Sequence, residues 1–322
     1  MLFSELIAEY TLAKTEGKHH TKVVRRNTWE GYESAIRLYV EPKWGQAEVG
    51  SVTYDDVQSW VESFPGGRGA EKAFKCLRQM VRFAITKLRL RIADPTVGVL
   101  LPDHERRDAR VLDDKQLNKM LFEMRGEPWE AVVLCQATLG LRRCEACALT
   151  WNDVNLATGV VSVTKGRHVV GGEVFVWGTK TKKSTREVVL PWFAVERLRE
   201  LKKECRARGS ELLCGLRPDA ISRRFRSWCR RRGFEGMTMM QLRHTWATLA
   251  VRAGVPIEVV AMQLGHTDIS MCYARYVQRS LDVFRSAQKR FADLILRAAP
   301  STRLDVVSPS WACKRAALAA VS

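Results

Sequence analysis

The sequence predicts a multidomain α and α+β fold, in which a small all-helical domain precedes a mixed, mostly helical domain with a small antiparallel sheet. Apolar residues repeat at helical spacing through residues 1–100 and again after residue 110. Alternating β-branched and aromatic runs are confined to residues 153–190, and a polar, highly charged segment separates the two halves. A chain of 322 residues is long enough for two domains with separate cores.

Helices joined by Pro- and Gly-containing turns are predicted for the first half. Thr53 is the expected start of one helix, because Asp55 and Asp56 suit the positive N-terminal end of a helix. Residues 65–69, PGGRG, are predicted to be a loop, and a strongly basic helix follows it. We divide the chain into a helical domain (1–100), a linker (101–109), a second domain (110–298) and a C-terminal tail (299–322).

The second half begins with two predicted helices. Asp113 or Asp114 is expected to cap the first, and the second is expected to end at Gly140. The spacing of apolar residues then changes from helical to alternating, which predicts three or four short antiparallel strands within 153–190. Helices are predicted to resume at 192–207, 218–232, 238–253, 256–264 and 279–297.

The charge of the chain is unusual. The net charge is +18 and the isoelectric point is near 9.8, which favours a polyanionic partner, most often nucleic acid. A basic protein without such a partner is the alternative. The chain begins without the basic and apolar regions of a signal peptide, and it contains no run of 18 apolar residues, so we expect no membrane span and a cytoplasmic location.

Nine cysteines are scattered along the chain, and an odd, scattered set is typical of reduced cytosolic thiols. Cys144 and Cys147 form a CxxC motif, but no second Cys/His pair nearby completes a zinc site. Their spacing on a predicted helix favours buried, small apolar side chains. No metal site is predicted.

Two basic helices are candidate nucleic-acid surfaces. Residues 222–232 hold six arginines in eleven positions, and such a dense cluster of like charge is easier to explain if phosphates neutralise it than as a solvated face. Phosphate contact is expected for most of these side chains, rather than base contact. The candidates are Arg223, Arg224, Arg226, Arg230, Arg231 and Arg232 on this helix, and Lys72, Lys75, Arg78 and Arg82 on the helix that follows residue 69.

Four segments of the second half carry chemistry-bearing residues in a fixed order. They are TLGLRRCEACALTW (138–151), WGTKTKKSTREVVL (177–190), QLRHTWAT (241–248) and QLGHTDISMCYARYV (263–277). In this order and at these distances they resemble the catalytic domain of the tyrosine recombinases, the phage integrase family. The resemblance covers residues 107–290, and the helical first half is similar in pattern to the family's core-binding domain.

The resemblance implies a role for each of these residues. Arg142 and Arg243 are the expected phosphate clamp, because guanidinium groups stay protonated and offer planar donors to phosphate oxygens. Glu145 would orient Arg142. The resemblance also assigns Tyr276 as nucleophile, with Tyr273 as the rival. Tyr276 lies ten residues after His266, which would hydrogen-bond the scissile phosphate or assist the tyrosine.

The same resemblance makes Lys180, in a turn between two strands, the general acid that protonates the leaving oxygen. Lys182 and Lys183 are neighbours that could take this role or touch the DNA backbone.

Met240 departs from the family pattern. Most members have histidine three residues before the second arginine, and a thioether carries no proton at neutral pH. We expect retained activity without this base, because general-base contributions are usually only ~10²–10⁴ in rate. His244 lies elsewhere around the helix, and the family commonly has histidine there as well.

The function that the resemblance implies is site-specific DNA recombination, including integration, by a homotetramer on paired double-stranded sites. It implies a 3′-phosphotyrosine intermediate, a Holliday junction and no cofactor. Accessory DNA-bending proteins are a further partner class that the resemblance allows. The alternatives are a chromosome or plasmid dimer resolvase of the same family and a catalytically impaired DNA-binding relative. A simple helix-turn-helix regulator would not explain the order of Arg, Lys, His and Tyr.

Overall fold

The computed structural model describes residues 1–103, 109–178, 184–206 and 211–266, together with residues 270, 272, 288 and 293. The first of these ranges is helical. Its helices are α1 (Phe3–Glu16), α2 (Arg26–Ala35), α3 (Glu41–Trp44), α4 (Tyr54–Glu62) and α5 (Gly67–Thr86), with a π-helical turn, Ile36–Val40, between α2 and α3.

Two helix starts of this half test the sequence predictions, with different results. Thr53 caps α4 as predicted, and its hydroxyl accepts a hydrogen bond from the Asp56 backbone N–H at 3.3 Å. The prediction of a loop over 65–69 is wrong at its end, because α5 already begins at Gly67. Gly67 is buried against the core, and this packing outweighs the low helix propensity of glycine.

The second half alternates helices with four short strands. The strands fall within the predicted range, and the helix predicted at 279–297 lies outside the described residues apart from isolated positions. The elements are α6 (Asp114–Glu123), α7 (Glu130–Leu139), α8 (Arg143–Ala146), β1 (Val160–Val163), β2 (Lys165–Val170), β3 (Glu173–Gly178), β4 (Arg186–Val189), α9 (Trp192–Arg206), α10 (Pro218–Arg231), α11 (Met239–Arg252) and α12 (Ile257–Leu264).

The strands form two separate antiparallel pairs. β2 and β3 make a local hairpin, whereas β1 pairs with β4 across it, with Val163 opposite Arg186. The pairing of β1 with β4 therefore fixes the start of β4 against the body of the second half. This places Arg186 directly after residues 179–183, which lie outside the described part of the chain.

The buried apolar residues form separate clusters in the two halves. The first runs from Phe3 to Ala84, the second from Leu112 to Leu242, and a smaller third cluster joins α11 to α12. Between the halves, the Arg26 guanidinium lies 5.2 Å from the Phe175 ring on the β2–β3 hairpin. These clusters fit the division at 101–109, which stays a prediction. The tail 299–322 lies outside the described residues.

Helix α7 is the centre of the second half. Every residue from Glu130 to Leu139 is buried, so this helix is enclosed on all sides. Glu130 accepts hydrogen bonds from Arg197 at 2.6 and 3.0 Å. Gln136 Oε1 has no hydrogen-bond partner among the described residues, but Gln136 Nε2 donates to the Met239 backbone oxygen at 2.5 Å. The last contact fixes the first turn of α11 against α7.

Two predicted helix boundaries are confirmed. Asp113 is the cap of α6, where its carboxylate accepts the Gln116 N–H at 2.7 Å. Gly140 ends α7 in the left-handed conformation, with φ of +65°. A Cβ atom at Gly140 would lie 2.5 Å from the Trp246 ring, so the position requires glycine for its conformation and for space. Within the described part of the chain, no helix has the length and apolar character needed to cross a lipid bilayer.

The substitution Gly140→Ala is expected to lower the free energy of unfolding, measured by urea denaturation. A non-glycine residue at positive φ costs roughly 1–2 kcal/mol, and forcing a methyl group against Trp246 adds about 1–3 kcal/mol. Gly126→Ala is the matched control, because Gly126 also has positive φ, +83°, but its Cβ would meet no atom within 4 Å. Equal losses in the two variants would contradict the role of the Trp246 contact.

Candidate phosphate-binding site

Arg142 and Glu145 meet at the turn between α7 and α8. Arg142 has extended backbone and precedes α8, whose third residue is Glu145. The Arg142 backbone N–H donates to Glu145 Oε2 at 2.9 Å, and Arg142 Nη1 donates to Oε1 at 2.8 Å. The carboxylate thus holds both ends of the arginine, as the sequence predicts for an orienting partner. The Arg142 side chain is 36% exposed.

Arg243 lies on α11 and is almost completely buried. It directly follows the buried Leu242 and is only 4% exposed. Its Nη1 donates to the Gly140 carbonyl at 2.9 Å and its Nη2 to the Leu264 carbonyl at 2.8 Å. Both carbonyls lie at C-terminal helix ends, where no intrahelical donor remains, and they compensate the burial of the charge.

His266 directly follows the left-handed Gly265 that ends α12. Its Nε2 lies 2.9 Å from Arg243 Nη2, and its Nδ1 lies 2.9 Å from Cys272 Sγ. A guanidinium can only donate, so Nε2 is the acceptor and the ring proton is placed on Nδ1, facing the sulfur. The structure therefore brings His266 and Arg243 together, as the sequence predicts.

Arg186 also reaches this site, although the sequence analysis did not single it out. Its Nε donates to the Gln263 carbonyl at 2.6 Å, and its Nη2 lies 3.0 Å from Glu145 Oε2. Its Nη1 donates to the Ser184 carbonyl at 3.1 Å, and its side chain is 8% exposed. The only signal in the sequence is one arginine at the start of a β-branched strand, which is also typical of a solvent-facing residue.

The three arginines converge on one turn of backbone. Besides the contacts above, Arg142 Nη2 donates to the Gly265 carbonyl at 3.1 Å. The carbonyls of three consecutive residues, 263–265, therefore each accept a guanidinium N–H. Among the described side chains of this cluster, three guanidinium charges face one carboxylate charge, that of Glu145. Such a net positive, partly open cluster is suited to bind an oxyanion.

The pKa of Glu145 reflects this surrounding charge. Burial raises the pKa of the carboxyl group, but hydrogen bonds and charge from Arg186 and then Arg142 outweigh burial, and the pKa lies below its usual value. The carboxylate therefore stays ionised at neutral pH and keeps its hold on both arginines.

Met240 lies outside this network. It is on the first turn of α11 and is 51% exposed. The next helix residues that the structure buries are Leu242, Arg243 and His244. The departure from the family pattern therefore affects a solvent-facing position, as far as the described part of the chain shows.

Five predicted residues cannot be placed. Lys180, Lys182, Lys183, Tyr273 and Tyr276 lie outside the described residues, so their roles stay predictions. Within the described ranges, no group of three or more His, Cys, Asp or Glu side chains is arranged to hold a metal ion.

The predicted basic surfaces lie mainly on the outside of the protein. On α10, Phe225, Trp228 and Cys229 are buried, which turns the arginines outward. On α5, Arg78 is half-buried. The exposed candidates are Arg223, Arg224, Arg226, Arg230, Arg231 and Arg232 on and just after α10, and Lys72, Lys75 and Arg82 on α5.

Solved structures share this fold. The Tn1549 transposon integrase in complex with a circular intermediate DNA matches with a TM-score of 0.74 over 90% of this chain and 99% of that chain, at 18% identity. A λ integrase dimer bound to a COC′ core site matches with a TM-score of 0.65 over 87% of this chain and 97% of that chain, at 16% identity. At these identities the likeness establishes the fold alone.

Sequence relatives extend the comparison. The tyrosine recombinase XerA of Saccharolobus solfataricus is 23% identical over 74% of this chain and 78% of its own length. The integrase of Salmonella phage P22 is 26% identical over 61% of this chain and 50% of its own length. The model of the phage integrase family matches residues 110–281, more than half of the chain. The chain therefore belongs to the phage integrase family of tyrosine-type site-specific recombinases.

Proposed function

We propose that this recombinase cuts and rejoins double-stranded DNA at specific sites through a covalent 3′-phosphotyrosine. The observation that supports it best is the convergence of Arg142, Arg243 and His266 on the end of α12, in a chain of this family. A phosphodiester resists nucleophiles because its oxygens are negative, and fixed cations overcome this where charge grows in the transition state. The roles of Tyr276 and Lys180, and the DNA substrate, are expectations from the family resemblance.

In the proposed reaction the Tyr276 oxygen attacks the scissile phosphorus and the bond from phosphorus to the 5′-oxygen breaks. Arg142 and Arg243 bind the phosphate oxygens, and His266 supports the same group. Lys180 gives a proton to the leaving 5′-oxygen, while the phenol proton passes to solvent. A 5′-hydroxyl of the partner strand then attacks the phosphotyrosine and releases Tyr276. The phosphotyrosine ester replaces the broken phosphodiester bond and retains its energy, so resealing needs no ATP, and the scheme uses no divalent metal.

The proposed assembly is a tetramer on two sites that exchanges strands in pairs through a Holliday junction. Support comes from the λ integrase tetramer bound to a Holliday junction, which has the same fold, with a TM-score of 0.63. The division into a helical domain, 1–100, and a catalytic domain, 110–298, is part of this proposal, with each domain on one face of the duplex. The tail 299–322 is proposed to pack on a neighbouring protomer, and the site of action is the cytoplasm of a prokaryotic or phage-infected cell.

The nucleophile can be tested with a nicked suicide duplex that carries a site selected by the protein from a random-sequence pool. The wild-type chain is expected to give a covalent protein–DNA band on a denaturing gel, and Tyr276→Phe is expected to give none, since it lacks the attacking oxygen. Tyr273→Phe is the matched control and should keep the band.

The outcomes separate the candidate functions. Site-specific binding with no wild-type band from pH 5 to pH 9 would favour the catalytically impaired DNA-binding relative, for which Met240 is the motivating feature. A band that persists in Tyr276→Phe and disappears in Tyr273→Phe would show that Tyr273 is the nucleophile. Integration and dimer resolution are distinguished by supplying two sites on one DNA molecule or on two.

Met240→His is expected to change the single-turnover rate of adduct formation by less than about tenfold, well under the ~10²–10⁴ that a general base typically supplies. The reason is that in the proposed scheme the phenol proton passes to solvent and the arginines stabilise the developing charge, so the reaction does not require a base at this position. Met240→Leu controls for the loss of the thioether. An increase of 10²-fold or more in the histidine variant would show instead that the chain lacks a needed base.

The arginines of α10 are expected to contribute to DNA affinity through phosphate neutralisation. Each lost phosphate contact should reduce the slope of log affinity against log salt concentration by about 0.9. We therefore expect Arg230→Gln to flatten this slope by about one unit in a fluorescence-anisotropy titration. Lys203→Gln, an exposed change on α9 outside the proposed DNA surface, should leave the slope unchanged. Equal slopes for Arg230→Gln and the wild type would remove Arg230 from the phosphate contacts.

A further inference from the structure

Arg186 joins three segments that the proposed chemistry brings together. It contacts Glu145 beside the clamp residue Arg142, the Gln263 carbonyl at the end of α12, and the Ser184 carbonyl just after the lysine-bearing segment 179–183. A guanidinium suits this position, because its planar donors point in several fixed directions at once, whereas an ammonium is a point charge.

The surroundings of Arg186 exclude most solvent. Its side chain is 8% exposed, and that of Glu145 is 5% exposed. Gly265 has φ of +66°, and a Cβ atom there would lie 3.0 Å from Arg186 Nη1. Glycine at this turn therefore lets the guanidinium lie directly against the backbone that precedes His266.

We propose that Arg186 is a positioning residue for DNA strand cleavage, which holds Glu145 and thereby Arg142 in place and anchors the chain that follows Lys180. This inference rests on the proposed function. Arg186 is not assigned a contact with DNA: it acts through the side chains and backbone that it holds. Its loss should misplace the clamp, and misplacement of about 1 Å can cost on the order of 10²-fold in rate.

The pH dependence of cleavage gives a readout that a merely structural role would not move. The groups that face Glu145 are Arg142 on its own turn, Arg186 on β4 and the neighbouring Cys144 thiol. At the α12 turn, Arg243 binds the Leu264 carbonyl and His266. Glu145 is ionised above its pKa, and its hold on Arg142 is lost as pH falls through that value. Removing Arg186 raises the pKa of Glu145, so the acid limb of activity moves to higher pH.

The experiment measures single-turnover adduct formation from pH 3.5 to pH 9 on the nicked suicide duplex, because the acid limb that Glu145 gives the wild-type chain lies below the usual pKa of a carboxyl group. Arg186→Gln is expected to lower the rate on the order of 10²-fold at neutral pH and to shift the acid limb upward. Arg186→Lys keeps the positive charge but lacks the planar guanidinium donors. Its acid limb should therefore return toward that of the wild type, while its rate stays reduced.

Arg197→Gln is the matched structural control. The Arg197 side chain is 17% exposed and pairs with the buried Glu130 at 2.6 Å, but it lies on α9, which supplies no arginine to the cluster at the α12 turn. It is expected to lower the midpoint of thermal unfolding without moving the pH profile. Two results would overturn the inference. One is a rate loss in Arg186→Gln with an acid limb that stays in place, as the limb of Arg197→Gln is expected to do. The other is an Arg186→Gln variant with the rate and the pH profile of the wild type.

If Arg186→Gln does not fold, judged by its circular dichroism spectrum, Arg186→Lys decides alone. A folded Arg186→Lys variant with the wild-type rate shows that the planar guanidinium donors are not required, and it overturns the inference. A reduced rate with an acid limb near that of the wild type supports the inference. A wild-type chain that forms no adduct refutes the proposed function before any Arg186 variant is compared, so the two failures are distinguishable.

Discussion

The C-terminal turn of α12 is the constraint on which the candidate site depends. Helix ends leave carbonyl groups without intrahelical donors, and the partial negative charge there favours cations. In this chain the carbonyls of residues 263–265 each accept a guanidinium N–H, from Arg186, Arg243 and Arg142 in that order. These arginines come from β4, α11 and the start of α8, so one helix end fixes the mutual positions of three distant segments. His266 follows the same turn and is positioned with it.

Burying several guanidinium groups together lowers the stability of the folded state. The partners that offset this cost differ among the three arginines. Glu145 is the one carboxylate that touches the cluster among the described residues, and it serves Arg142 and Arg186 together. Backbone carbonyls supply the other polar partners described here, and a carbonyl carries only partial negative charge. In the proposed function, the phosphate of the substrate is a further partner of Arg142 and Arg243.

Local signals in the sequence predicted much of the fold, and the site only where its contacts are local. Asp113 and Gly140 marked helix boundaries correctly, because caps and left-handed glycines act within a few residues. Arg142 and Glu145 share one turn and were paired correctly. The pairing of β1 with β4 across a hairpin, the burial of Arg243 and the contacts of Arg186 depend on residues far apart in the chain, and periodicity carries no information on such contacts.

Met240 and Arg243 lie on the same helix, but the family pattern and the proposed chemistry give their positions different tasks: proton removal by the family's usual histidine at residue 240 and phosphate binding at Arg243. Arg243, three residues along the same helix, is buried and held by carbonyls of two other helices, while Met240 is half exposed at the first turn. The partners described for the three guanidinium groups of the α12 turn are backbone carbonyls, Glu145 and His266. Under the proposed function, methionine in place of the family's usual histidine therefore removes a proton acceptor and leaves these contacts in place.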